Sequence, residues 1–309
     1  MIAATADLPG CPVAVACDTL HAPRSSYYAA RSRPMGASKR GPKTPVADAE
    51  LLEAIRSCIE ETPFYGEGYK KVWARVRYGR CKLAVGKNRV LRLMRLNNLL
   101  SPSRRPEVRA KKAHDGSIIT AGPNLMWGAD AVRFWTREDG NCWFFGVADH
   151  FNSECVGWTV VKIGDRWAAV ESLRDAVRNV FGKFTVGAAN GVWLRHDHGS
   201  QYTARAFQAD IRYAGLESTP AFVGEPECNG VIERFFKTLR EQCLWINRFR
   251  DIEEARVIIG EFVRTYNDEW IMHRLGFKTP IQARLDFCEK QESAKQLLAE
   301  PELTAAVAV

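Results

Sequence analysis

Three acidic residues are spaced so that folding could bring them together as ligands for a divalent metal ion. Asp130 lies in the strand-like segment NLMWGADAVRFW, and Asp197 ends the short apolar run VWLRHD. Glu233 lies in NGVIERFFKTLRE, where apolar residues recur at the three- and four-residue intervals of a helix. Sixty-six residues separate the two aspartates, and 35 residues separate Asp197 from Glu233. The pattern indicates two strand-borne aspartates and one helical glutamate that can converge.

Carboxylates in this arrangement suit phosphoryl transfer. Mg²⁺ prefers carboxylate oxygens and keeps several of its waters. Two such ions about 3.5–4 Å apart stabilise both the attacking and the leaving oxygen. No side chain then acts as the nucleophile, because water or a DNA 3′-hydroxyl attacks the phosphodiester. We expect Asp130, Asp197 and Glu233 to be catalytic and to hold two Mg²⁺ ions, with Mn²⁺ as a substitute.

The helix around Glu233 carries further groups that suit contact with DNA. Asn229 lies four residues before the glutamate, Lys237 four after it and Arg240 seven after it. These spacings place an amide, a metal ligand and two cations on one helical face. Taken alone, the pattern fits an ordinary amphipathic helix with an exposed Glu–Lys pair better.

Softer metals and disulfides are not indicated. The nine cysteines are odd in number and form no C-x-x-C pair, which predicts a reducing compartment. His196 and His198 flank Asp197, and we interpret them as packing or substrate contacts rather than zinc ligands. No apolar run approaches the ~18 residues of a membrane span, and the N-terminus lacks signal-peptide features. We expect a cytoplasmic protein that does not associate with a membrane.

The net charge of +8 is unevenly distributed along the chain. Residues 1–115 carry +12, whereas residues 116–309 carry −4. A basic front third indicates a polyanionic partner, and nucleic acid is the partner we expect. Within it, residues 12–20 and 24–33 each suit a short helix, which either contacts DNA or stays a solvated linker.

Three further helices are predicted in the basic region. They run from an N-cap at Thr44 to about Glu60, from Tyr69 to Tyr78, and from Gly86 to Leu100. A three-helix unit that ends in a basic amphipathic helix is typical of a DNA-reading domain. The alternative is a solvated charged face. The residues predicted to contact DNA here are Lys70, Lys71, Lys87, Arg89, Arg92 and Arg95.

From residue 124 onward the pattern changes from helices to strands. Three strands, a helix, a strand, a helix and a strand predict a mixed sheet flanked by helices. The α/β fold is thus preceded by a basic all-α region. The predicted strands are 125–135, 142–148, 154–161, 191–196 and 216–219, and the predicted helices are 166–180, 201–213, one around Glu233 and 252–266.

Several stretches together resemble the DDE transposases of bacterial insertion sequences, which have a retroviral-integrase-type catalytic core. The similarity is to the product of the second reading frame of two-frame elements. FYGEGYKKVWARVR and KNRVLRLMRLNNLLSP resemble the family's helix-turn-helix region, and NLMWGAD and RHDHGSQYTA resemble its two aspartate segments. EPECNGVIERFFKTLREQ resembles its glutamate helix, and YNDEWIMHRLGFKTPIQA resembles its C-terminal signature. Each motif alone is weak, and the combination is specific.

The resemblance implies a ribonuclease-H-like fold and metal-dependent strand cleavage and strand transfer at terminal inverted repeats. It implies that Asp130, Asp197 and Glu233 hold the metals, and that Asn229, Lys237 and Arg240 place the DNA end. The loop after the second aspartate adds Gln201 and Tyr202 as DNA contacts. The implied partners are the element's inverted repeats, target DNA and further copies of the chain, with an upstream-frame protein as a candidate fusion or partner.

The composition shifts and the resemblance together divide the chain into six parts. They are an N-terminal helical segment (1–34), a basic linker (35–45), a helix-turn-helix-like DNA-binding domain (46–104), a second basic linker (105–123), the integrase-type catalytic core (124–288) and a C-terminal tail (289–309). The family often has threonine beside its first aspartate, whereas Ala129 and Val132 lie near Asp130. That difference removes hydroxyl groups and no carboxylate.

Two other functions stay open at this point. A ribonuclease-H-like nuclease acting on RNA–DNA hybrids or junctions needs no sequence-reading helices, so the basic helical region argues against it. A non-catalytic DNA-binding regulator that kept the fold has no use for three carboxylates. Carboxylates near DNA repel phosphate unless a metal neutralises them.

Overall fold

The computed structural model describes residues 12–21, 23–32, 45–101, 118, 120–220 and 230–299. The chain divides into two compact units, residues 1–47 and residues 48–309. The first unit holds helices α1 (Val13–Thr19) and α2 (Arg24–Arg31), close to the two short helices predicted. Tyr27 is buried on α2 and accepts a 2.5 Å hydrogen bond from Arg31 Nη1.

The second unit begins with three helices around a small apolar core. They are α3 (Asp48–Glu61), α4 (Tyr69–Tyr78) and α5 (Lys87–Leu96). The predicted limits of α4 are confirmed, but α3 begins at Asp48 rather than near Pro45, and α5 ends at Leu96 rather than Leu100. Asp48 and Glu50 place negative charge in the first turn of α3, where the helix dipole favours it. The core of these helices contains Leu51, Ile55, Val72, Val76, Val90, Leu93 and Met94.

A five-stranded mixed sheet forms the centre of the second unit. Its strands are β1 (Met126–Thr136), β2 (Gly140–Asp149), β3 (Cys155–Val161), β4 (Trp193–His196) and β5 (Glu217–Pro220). The strand order is β3-β2-β1-β4-β5. β1, β2 and β3 pair antiparallel, while β4 lies parallel to both β1 and β5. Asp139–Gly140, a sequence typical of hairpin turns, joins β1 to β2, and Gly140 has φ +70°.

Helices cover both faces of the sheet, so the predicted fold class is confirmed. One face buries Trp127, Phe145 and Leu194 beneath α6 (Arg166–Phe181), α7 (Ser200–Thr203) and α8 (Arg205–Ala214). The other buries Val132 and Phe144 beneath α9 (Gly230–Leu239) and α10 (Ile252–Glu269). Alternate residues of β1 therefore face different helix layers.

The C-terminal signature fastens the last helices to β3. Asn267 on α10 binds the Cys155 backbone twice, accepting from its N–H at 2.9 Å and donating to its carbonyl at 2.9 Å. Arg284 donates to both carboxylate oxygens of Glu154, at 2.8 and 3.1 Å. Arg284 lies on α11 (Pro280–Ala299). This helix continues past residue 288, where the catalytic core was predicted to end, and the domain limits remain a prediction. Among the described residues, no helix is long and apolar enough to cross a membrane.

The contact between β3 and α6 generates a stability prediction. A Cβ added at Gly157 would lie 2.3 Å from Ala176 N and 2.5 Å from Ala176 Cα, which are backbone atoms of α6. We expect Gly157→Ala to lower the free energy of unfolding by about 1–3 kcal/mol, because the helix must move away from the sheet. Urea unfolding measures it. Gly230→Ala, with open space around its Cβ, serves as the control, and equal stability of the two variants would contradict the expectation.

Candidate active site

The register of two parallel strands places the two aspartates side by side. Gly128 of β1 pairs with Arg195 of β4. Asp130 and Asp197 each lie two residues beyond that pair, so they continue the same register and point to the same face. Neighbouring strands are about 4.8 Å apart. This face is the one that α9 covers, because the alternate residue Val132 packs beneath that helix.

Asp130 is a partly buried carboxyl group in a negative environment. Its pKa is raised to about 6, first by burial and then by the nearby charges of Asp197 and Glu233. Two contacts act in the opposite direction. Its Oδ1 accepts a 2.7 Å hydrogen bond from the Ala131 N–H, and the charge of Arg240 also lowers its pKa. The charges of Asp197, Glu233 and Arg240 therefore all act on the Asp130 carboxyl group.

Asp197 is held by the turn that follows β4. Its Oδ1 accepts a 2.8 Å hydrogen bond from the Gly199 N–H. A Cβ at Gly199 would lie 2.9 Å from that same oxygen and 2.6 Å from Gln201 Nε2, so glycine leaves the carboxylate room. His196 lies within 2.9 Å of Ser218 Oγ and stacks on Tyr202 at 5.7 Å, which fits the packing role expected for it.

Helix α9 carries Glu233 to the same face of the sheet. Its apolar residues pack on β1 and β2, with Phe236 edge-on to Phe144 at 5.9 Å. Gly146 lies opposite Asp130 in the β1–β2 register. A Cβ there would lie 3.2 Å from Phe236, so this glycine lets α9 approach the sheet beside Asp130. Glu233 is exposed to solvent overall, and the partial desolvation of its carboxyl group by neighbouring atoms raises its pKa.

The donor set fits a hard divalent cation. Three carboxylates from β1, the end of β4 and α9 offer oxygen ligands only. Burial and, to a smaller extent, repulsion by Asp197 and Glu233 raise the pKa of Asp130. A cation between them would remove that repulsion. In the part of the chain that the structure describes, no three His, Cys, Asp or Glu side chains are yet close enough to enclose an ion.

The predicted DNA contacts of the core are only partly consistent with the structure. Lys237 is exposed one turn after Glu233, and Arg240 lies near Asp130. Gln201 is partly exposed beside Asp197. Tyr202, in contrast, is buried against Phe145, His196 and Phe207, which contradicts the contact predicted for it. Asn229 lies outside the described residues.

The basic residues of the three-helix region also differ among themselves. Four are exposed, namely Lys70, Lys87, Arg92 and Arg95. Asp48 accepts hydrogen bonds from Arg89 at 2.8 Å and Arg92 at 2.5 Å, and both guanidinium groups lower the pKa of its carboxyl. Lys71 turns inward, with its Nζ buried 2.8 Å from the centre of the Trp270 ring. The structure thus contradicts the DNA contact predicted for Lys71.

Sequence reasoning missed the residues that join the three-helix region to the sheet. Gln242 and Trp270 both contact the turn and helix that follow α3. Gln242 is 177 residues from Tyr65, its partner. The one signal in the sequence is FYGEG, a turn with two aromatic residues and an acid, which suits a surface that is covered by another part of the protein.

Comparison with known proteins agrees with this architecture. Residues 120–226 and 215–280 both match integrase core domain families, and residues 46–107 match an HTH-like domain. Transposase InsD of the Escherichia coli insertion element IS2 is 32% identical over 240 residues, which cover 75% of this chain and 77% of InsD. The chain belongs to the insertion-sequence transposases with an integrase core. This transposase is accordingly a DDE-type polynucleotidyl transferase with a ribonuclease-H-like fold.

Two solved structures resemble parts of the transposase. A simian T-cell lymphotropic virus intasome covers 85% of this chain and 78% of its own, with a TM-score of 0.45 and 16% identity. The HTLV-2 integrase catalytic core domain in complex with magnesium covers 53% of this chain and 98% of its own, with a TM-score of 0.41 and 17% identity.

The environment of Asp130 generates a pH prediction for the metal-free transposase. Its folded-state pKa is raised from 3.8 to about 6, so the folded protein holds this proton more tightly than the unfolded chain does. The charged form therefore costs stability as pH rises from about 4 to 6. We expect Asp130→Asn to raise the free energy of unfolding at pH 7.5 by roughly 1–3 kcal/mol.

Urea unfolding in EDTA at pH 4 and pH 7.5 measures this gain, which should shrink toward the lower pH. Asp268→Asn changes a carboxylate on α10 and serves as the control. A variant less stable than the wild type at pH 7.5 would show that Asp130 is not under electrostatic strain.

Proposed function

We propose that this transposase cuts single strands at the terminal inverted repeats of its insertion sequence and joins the ends to target DNA. The observation that supports this most is the register that sets Asp130 beside Asp197 on the face covered by the Glu233 helix. Such a site performs phosphoryl transfer with water or a DNA 3′-hydroxyl as the nucleophile.

The three carboxylates would hold the metal ions in this reaction. Asp130 is fixed by the backbone of β1 and Asp197 by the turn after β4, and each carboxylate accepts a short hydrogen bond, from the N–H of Ala131 and of Gly199 respectively. Glu233 is exposed on α9 and completes the set by turning toward the pair. Two bound Mg²⁺ ions would supply positive charge to the attacking and the leaving oxygen of the phosphodiester.

Cationic side chains would place the DNA against this site. Lys237 and Arg240 follow Glu233 along one side of the helix, and the charge of Arg240 already acts on Asp130. A cation in that position also offsets charge that develops on the phosphate oxygens. We assign Gln201 to the same DNA end, because it is partly exposed and its Nε2 lies in the turn that holds Asp197.

The three-helix region would read the terminal repeat, with Lys70, Lys87 and Arg95 exposed to phosphates at its surface and Arg92 reaching a phosphate by giving up its ion pair with Asp48. Because the reaction joins the ends of the element to target DNA, we propose that more than one copy of the chain binds the DNA, with an upstream-frame protein as fusion or partner. The similarity to insertion-sequence transposases supports this assembly.

The proposed role of Glu233 is tested by strand nicking. We expect Glu233→Gln to abolish Mg²⁺- or Mn²⁺-dependent nicking of labelled terminal-repeat DNA, because a neutral amide is a poor ligand for a hard cation. Glu261→Gln, an exposed change on α10, should nick like the wild type. Wild-type nicking by the Glu233 variant would refute the assignment.

The proposed DNA-reading surface is tested through salt dependence. Loss of one phosphate contact in Arg95→Ala should reduce the slope of log affinity against log salt by about 1. The matched control is Arg56→Ala, an exposed arginine on α3 outside the predicted surface. Fluorescence anisotropy with terminal-repeat duplex measures both slopes. An unchanged slope for Arg95→Ala would remove this residue from the interface.

A further inference from the structure

The three-helix region and the integrase core meet at the turn between α3 and α4. Phe64 in this turn is buried in the same apolar cluster as the α9 residues Phe235 and Phe236. Its ring meets Trp270 edge-on, with the ring centres 4.8 Å apart. The turn is therefore part of the hydrophobic core that supports the Glu233 helix.

Gln242 adds a paired hydrogen bond to this contact. It lies in the π-helical segment Arg240–Leu244, which continues directly from α9. Its Oε1 accepts from the Tyr65 N–H at 2.8 Å, and its Nε2 donates to the Tyr65 carbonyl at 2.9 Å. A single side chain thus fixes both polar groups of one backbone residue, which sets distance and orientation together.

A cluster of charges around the buried Glu67 lies next to Tyr65 in the same turn. Glu67, with 2% of its side chain exposed, receives hydrogen bonds from Arg75 at 2.6 and 3.0 Å. Arg75 also donates to the Glu269 carbonyl at 3.2 Å, at the end of α10. Lys71 lies 3.6 Å from Glu67 and over the Trp270 ring. Because Glu67 is buried, separating it from Arg75 and Lys71 would leave an uncompensated buried charge. These ion pairs therefore favour a single arrangement of the turn and α4.

We infer that this junction is a ruler, which fixes the distance between the DNA sequence read by the three helices and the phosphate cut by the core. The inference rests on the proposed cleavage at terminal repeats. Gln242 is its positioning residue. It lies nine residues after Glu233 on one continuous helical path, a rise of about 13 Å. A displacement of the three helices is therefore transmitted to Glu233 along a rigid element.

If the junction fixes this distance, loosening it will change the position of cleavage but not the affinity for terminal-repeat DNA. In the wild type, the repeat bound by the three helices presents one phosphate to the carboxylates. In Gln242→Ala combined with Lys71→Gln, the DNA-reading surface is unchanged, but its position relative to the carboxylates is looser. Misplacement by about 1 Å reduces the rate by as much as 100-fold.

The test uses the full-length transposase and end-labelled terminal-repeat duplex with Mn²⁺, resolved at single-nucleotide length. We expect the wild type to nick at one dominant position, and the double variant to bind with equal affinity but to nick more slowly at several adjacent positions. Gln282→Ala, which loses a side-chain hydrogen bond to the Thr279 backbone far from this junction, should match the wild type.

Nicking by the double variant at the single wild-type position and rate would overturn the ruler and leave the proposed function intact. A wild type that binds the repeat but never nicks it would refute the proposed function and the ruler with it. Gln242→Ala alone removes only the two hydrogen bonds to Tyr65. Broader cleavage by this variant, with unchanged thermal unfolding, separates positioning from a loss of folding.

A distance measurement gives a second readout that does not depend on activity. Leu96 on α5 and Val257 on α10 are both exposed. Spin labels can be introduced at these two positions as unnatural amino acids. Pulsed electron paramagnetic resonance should show one narrow distance that repeat DNA does not change, and a broader one in the double variant. A wild-type distance that is broad, or that shifts on DNA binding, would contradict a fixed ruler.

Discussion

The partial burial of carboxylates on one face of a sheet, where desolvation and like charge both disfavour the ionised form, is the constraint on which this structure depends. Asp130 lies on β1 and Asp197 directly follows the neighbouring parallel strand β4, and burial together with the charge of Asp197 keeps the pKa of Asp130 well above its usual range. A fold that holds such groups together must fix them by other means. Here the apolar residues on both faces of the sheet fix the register of β1. A one-residue slip of β1 would turn Asp130 to the opposite face and expose its buried neighbours.

The same packing explains how a helix far along the chain reaches this site. Gly146 faces Asp130 across β1 and β2, and its missing side chain makes room for Phe236. The apolar residues of α9 settle on the sheet at that point, which carries Glu233 to the edge of the aspartate pair. The helix then continues into a π-helical segment, whose Gln242 holds the turn of the three-helix region. The three-helix region and α9 thus share one core.

Much of this could be predicted from the sequence, because the determining signals are local. Alternating apolar residues gave the strands, and helical spacing gave the buried side of α9. Side-chain direction in short loops was harder. Tyr202 stands in a polar motif beside Asp197, yet the single turn of α7 rotates it into the core. Lys71 lies in a run of basic residues, and only the tertiary position of Trp270 shows that its ammonium is buried.

The sequence pattern did not predict the long-range contacts. The partners Tyr65 and Gln242 are 177 residues apart, and neither has a local sequence environment that indicates the other. Helix limits failed for a related reason. The end of α5 at Leu96 is set by Asn97 and by Asn98, which takes φ +56°, and not by the leucines that follow. Asparagine adopts this conformation more readily than most residues, so the signal was present but weak.

The claim that the three acids form one metal-binding site is tested most directly by anomalous X-ray diffraction from crystals of the transposase with Mn²⁺ and a terminal-repeat end. If the three acids share one site, the Mn²⁺ signal will lie in contact with both Asp130 and Asp197, with Glu233 turned onto the same site. Mn²⁺ bound at other residues, or carboxylates that share no ion, would contradict it.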